Sequence, residues 1–92
     1  MLRTLAARTI ISINESSDLN TCTRQGYVYS WGSNSPANAP FGYGSMINCF
    51  VNSGIDSFTQ ICILRSQAAQ IAIRIKDGGK FGGWYKFSLT AI

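Results

Sequence analysis

The groups in this sequence that could do chemistry are few. Its carboxylates are Glu15, Asp18, Asp56 and Asp77, its thiols are Cys22, Cys49 and Cys62, and it contains no histidine. Without an imidazole, neither a Ser-His-Asp nor a Cys-His nucleophile can be assembled within one chain. A glycosidase-like acid pair would have to come from the four carboxylates. Each stands beside Ser, Asn or Gly in a stretch that reads as a turn or cap, where such side chains bond local backbone. The expectation is a protein that is not an enzyme. The cysteines form no C-x-x-C pair and have no histidine to join them, so neither a zinc site nor any other cofactor is expected. Their odd number fits free thiols and a chain folded in a reducing cytoplasm. A bridge between Cys49 and Cys62 stays open. Gly78-Gly79-Lys80 has no following Ser or Thr and no phosphate-loop spacing, so it reads as a turn.

The aromatic residues are the more informative class. Tyr27, Tyr29, Trp31, Phe41, Tyr43, Phe81, Trp84 and Tyr85 cluster around two glycine-rich loops. Aromatic rings suit the apolar faces of sugars and also anchor protein interfaces. Trp31, Phe41 and Tyr43 flank or occupy the long loop 32–44, which holds both prolines. With Lys80 and Phe81 of the second loop they are the candidate ligand-binding residues. Long loops without secondary structure in a small domain are often functional. The eight basic residues are scattered against four acidic ones, for a net charge of +4. A nucleic-acid site would need them in a stripe, so no nucleic-acid partner is expected.

The elements that must position these residues are strands. Tyr27–Trp31, Met46–Val51, Phe58–Arg65, Gln70–Lys76 and Trp84–Leu89 are rich in β-branched and aromatic residues and are separated by turn signals. They predict a mainly β fold, a small antiparallel meander of about five short strands with long loops. In Gln70–Lys76, the alternation predicts Ile71, Ile73 and Ile75 on the buried face and Ala72, Arg74 and Lys76 on a wet, basic face. Near the N-terminus, Leu2, Leu5, Ala6, Ile10 and Ile13 fit a helical stripe, while 9–13 fits a strand equally well. Asp18-Leu19-Asn20-Thr21 could cap a single helical turn. Residues 1–17 are read as a connecting arm and 18–92 as the domain. No apolar run approaches the ~20 residues of a membrane-spanning helix.

Ninety-two residues with 46% hydrophobic and only 13% charged residues exclude a disordered chain. So little charge on so small a domain suggests that part of its surface is covered in an assembly.

The order Asp18-Leu19-Asn20, Gly26-Tyr27, Asn38-Ala39-Pro40, Thr59-Gln60-Ile61, Ile73-Arg74 and Trp84-Tyr85-Lys86 resembles the pyocin knob family. The likeness runs from about Asp18 to Leu89. Two departures concern turns: Gln67-Ala68-Ala69-Gln70 stands where a Gly-Lys turn is usual, and the loop 77–83 has extra glycines. The resemblance implies a small β domain near the C-terminal end of a phage tail fibre or related bacteriocin fibre. It further implies a homotrimer joined to other tail-fibre segments, which binds a bacterial surface polysaccharide or lipopolysaccharide. The location implied is the virion tail fibre. A structural trimerising or capping domain, and an accessory domain of a capsule-degrading tailspike, are the competing expectations.

Overall fold

A computed structural model describes residues 10–50, 56–66 and 69–92. The described residues contain seven strands and no helix: β1 (Ile10–Ser12), β2 (Val28–Trp31), β3 (Gly44–Phe50), β4 (Phe58–Leu64), β5 (Gln70–Asp77), β6 (Lys80–Phe81) and β7 (Tyr85–Ser88). They form one sheet in the order β1-β2-β3-β4-β5-β6, and β7 also pairs with β5. β1 runs parallel to β2, and the remaining pairs are antiparallel. The protein is thus mainly β, as its strand pattern predicts, with β1 and β6 added to the expected five. No helix among the described residues is long and apolar enough to cross a membrane.

Local sequence explains the connections that matter most. β5 and β6 are joined by Gly78-Gly79, with φ of 60° and 84°, between the paired Asp77 and Lys80. A two-residue hairpin that follows strand twist needs positive φ at both central positions, which glycine adopts without strain. The N-terminal stretch that fits both periods is a strand at Ile10–Ser12, and Ile11 and Ile13 pack against the core. Residues 1–9, which hold most of the helical alternative, lie outside the described residues. So does most of the turn expected over 52–56.

Asp18 caps a single turn over Asp18–Thr21, but no helix follows it. Asp18 Oδ1 accepts the Asn20 N–H at 2.9 Å, while Thr21 N–H bonds the Asp18 carbonyl and Cys22 N–H that of Leu19. The two tight turns bring Leu19 and Cys22 down onto the sheet. A one-residue parallel bridge, Asp18 to Ala37, ties this loop to the long loop after β2. Together the two loops cover one face of the sheet. The core between them holds Leu19, Cys22, Tyr29, Trp31, Phe41, Met46, Cys62 and Ala72.

Among the described residues nothing covers the other face, and it is the face on which the isoleucines lie. Ala72 and Arg74 are buried, whereas Ile75 is 55% exposed and Ile71 and Ile73 are only half-buried. The expected orientation of β5 is therefore inverted. Register carries the inversion across the sheet: Ile63, Ile71 and Phe87 form one outward row, and Ile47, Ile61, Ile73 and Tyr85 the next. The covering loops bring polar backbone and Asn20 to the inner face, and they satisfy Arg74 there. Small Ala72 and Cys62 leave room beneath those loops. Cys49 points to the isoleucine face and Cys62 to the core, so the two cannot bridge, and all three cysteines are free.

Candidate functional site

On the covered face, one row of the sheet is polar. Asn48, Gln60 and Arg74 are paired across β3, β4 and β5 and are all buried. Buried polar groups are costly unless bonded, and each of these is. Gln60 Nε2 donates to the Leu19 carbonyl at 3.0 Å and to Asn48 Oδ1 at 3.1 Å, while Asn48 Nδ2 donates to the Cys22 carbonyl at 3.0 Å. Arg74 Nε donates to Gln60 Oε1 at 2.8 Å, and its Nη2 donates to Asn20 Oδ1 at 2.7 Å. Three strands thereby grip the loop 19–24, whose carbonyls would otherwise be buried without partners.

Arg74 carries the ladder outward to the rim. Its guanidinium lies 3.9 Å from the Phe81 ring centroid and 4.8 Å from that of Trp84. A planar cation suits such stacking, and its weak hydration lowers the cost of burial. Burial pulls the Arg74 pKa below its ordinary value, opposed by nearby Cys62 and Asp18. Phe58 meets Phe81 edge-on at 5.9 Å, closing the inner end of the cluster. The Trp84 indole N–H donates to the Asn38 carbonyl at 2.8 Å. Asn38 holds a positive φ of 65°, a conformation asparagine tolerates, and its Nδ2 donates to Asp18 Oδ1 at 2.8 Å. The hydrogen bonds from the Asn20 backbone and the Asn38 side chain hold the Asp18 pKa below the usual carboxylate value.

The rim is thus one continuous chain of contacts from Asp18 through Asn38, Trp84 and Arg74 to Phe81. Asn20 flanks it and is exposed. The rim combines half-buried aromatic rings with a carboxylate, carboxamides and the Arg74 guanidinium. Groups of these types can stack on and hydrogen-bond a polyhydroxylated molecule, and the set has no reactive nucleophile. Among the described residues, no group of three or more His, Cys, Asp or Glu could hold a metal.

The five residues singled out by sequence do not form one surface. Trp31 and Phe41 are buried at 2% and 8% exposure, with the Trp31 indole N–H donating to the Phe41 carbonyl at 3.2 Å. These two rings fill the core under the long loop. Tyr43 is exposed beside Gly44, at the start of β3. Lys80 and Phe81 sit at the far end of the strands, about 20 Å away by the rise of six or seven residues, because Phe81 opposes Lys76, which opposes Phe58, which opposes Phe50. Phe81 joins the rim, whereas Lys80, its neighbour on β6, opposes Asp77 and lies on the other face of the sheet. Asp18, Asn20, Asn38, Arg74 and Trp84 are members that sequence reasoning missed as a group. One signal was available: polar Asn48, Gln60 and Arg74 interrupt otherwise apolar strands at positions of like parity.

No protein-family model, curated protein or solved structure matches the chain.

Proposed function

We propose that this chain is a non-enzymatic binding domain of a homotrimeric phage tail fibre, attaching to a bacterial surface polysaccharide or lipopolysaccharide. The observation that carries the reading is the rim, where Phe81 and Trp84 lie over Arg74 beside Asp18 and Asn38. Aromatic faces take the apolar face of a sugar ring, and the carboxylate and carboxamides bond its hydroxyls. The fibre context rests on the residue order that resembles the pyocin knob family.

Binding of the purified chain to an array of bacterial polysaccharides and lipopolysaccharides tests this. The expected result is saturable binding to at least one glycan, weakened tenfold or more by Asp18→Ala with the fold unchanged. Binding to none sinks the attachment reading.

A second reading, a domain that trimerises or caps the fibre without touching the receptor, is favoured by the isoleucine face. Removing the domain from a fibre separates the two. Lost adsorption with intact trimers supports attachment, whereas lost trimers support capping.

A further inference from the structure

Antiparallel sheets with one free face alternate apolar residues inward and polar residues outward. Here the outward rows of β3, β4, β5 and β7 carry isoleucine, phenylalanine and tyrosine beside Ser45, Cys49 and Thr59, and their one charged residue is Asp77, at the end of β5 where it opposes Lys80. Ile63 is 50% exposed, Ile75 55%, Tyr85 75% and Phe87 48%. Ile10 and Val28 pair on β1 and β2 and extend the same face, with Ile10 exposed. Six strands about 4.8 Å apart, with residues rising about 3.3 Å each, give on the order of 500 Å² of flat face. That matches or exceeds what most monomers leave open. Two such faces together bury about 1,000 Å², the area from which specific contacts begin.

We infer that the outer sheet face is a self-association surface, on which a second copy of this chain packs face to face. Charge identifies the occupant. The chain carries +4 overall, so a partner recognised electrostatically would be anionic and would need a cationic patch, whereas the isoleucine rows carry no cation and Lys80 at their end opposes Asp77. A neutral apolar face, by contrast, is complementary to itself. Two copies meeting there keep Lys86, which opposes buried Ala72, out of the contact, and the opposed Asp77 and Lys80 stand at one end of the face. In such an interface the same patch serves both partners. The inference does not rest on the attachment reading, because a face-to-face pair is a different assembly from the homotrimer proposed there, and it holds whatever the rim binds.

Sedimentation velocity of the whole chain from about 1 to 100 µM tests it, with Ile63→Lys and the double variant Ile63→Lys/Ile75→Lys beside the wild type. The wild type is expected to sediment as a dimer or larger species. The variants are expected to be monomers with an unchanged β circular-dichroism spectrum. Should a lysine variant fail to fold, Ile63→Thr/Ile75→Thr keeps β-branched residues on the strands and is expected to weaken association at least tenfold. A monomeric wild type overturns the inference, as does a folded variant that associates like the wild type. A wild-type monomer that associates only after removal of residues 1–9 would assign the face to the chain's own N-terminus, and it too overturns the inference. Glycan-array binding by the same proteins keeps the two readings apart. Glycan binding lost with association intact counts against the rim alone, and association unaffected by the substitutions counts against the face alone.

Discussion

Arg74 and Ile75 are consecutive residues of β5, yet the arginine is 4% exposed and the isoleucine 55%. In a strand, neighbours point to opposite faces, so a single choice of face decides both fates. The face chosen is the one on which Arg74 finds Gln60, Asn20 and two aromatic rings. An unpaired buried cation would cost several kcal/mol, more than burying one isoleucine stabilises, about 1.5–3 kcal/mol. With its partners in place that cost is largely offset, and the isoleucines are left for another surface.

Gln60 is the centre of this arrangement, since it accepts from Arg74 and donates to Asn48 and to the loop. Gln60→Leu keeps most of the volume but strands the guanidinium and the Leu19 carbonyl. It is expected to destabilise the fold by about 3 kcal/mol, in line with breaking a buried charged pair. Urea unfolding checks this. Arg74→Lys is expected to cost about 2 kcal/mol, because a point charge loses the planar stacking and cannot reach both acceptors.

Asp18 links the rim to acid. Its folded pKa is depressed by the Asn20 and Asn38 hydrogen bonds. The stabilisation is therefore present above the ordinary carboxylate value of 3.8 and is lost as pH falls through the lower folded value. Thermal unfolding between pH 6 and pH 2.5 should show a steeper acid decline for the wild type than for Asp18→Asn. Parallel curves would contradict the assignment.

The thiols should separate by reactivity. Burial pushes the Cys62 thiol up to about 12, and burial first and Asp18 second raise that of Cys22. Neither should react with a maleimide at pH 8 until denaturant is added, because the thiolate is the nucleophile. Cys49 is exposed on the isoleucine face. Its labelling, followed by mass spectrometry, should quicken in Ile63→Lys/Ile75→Lys if copies cover that face in the wild type.

Gly44 begins β3 opposite both Trp31 and Leu64. A Cβ there would run into the Ile63 carbonyl oxygen, a backbone atom that cannot swing aside. Gly44→Ala is expected to lower stability by about 1–3 kcal/mol, the usual cost of forcing extra volume into a packed site. Equilibrium denaturation measures it. Gly42→Ala, where a Cβ meets nothing within 4 Å, is the matched control.

Composition and local pattern by themselves determined that this chain is mainly β, where β2 to β5 and β7 run, and that Gly78-Gly79 turns the chain. These are short-range properties: β-branched runs, proline and glycine placement, and a period of two. The choice of inner face was not local. In β5 the apolar set and the Arg74 set alternate equally well, and the arginine turns inward only because Gln60, Asn20, Phe81 and Trp84 arrive from distant parts of the chain. The same holds for the rings. Trp31 and Phe41 look like loop aromatics in sequence, but the long loop folds back over the sheet and makes them core. The rim, from Asp18 to Phe81, exists only where that loop, the first turns and the last strands meet. Its partners lie tens of residues apart, and long-range register is what a period of two leaves undetermined.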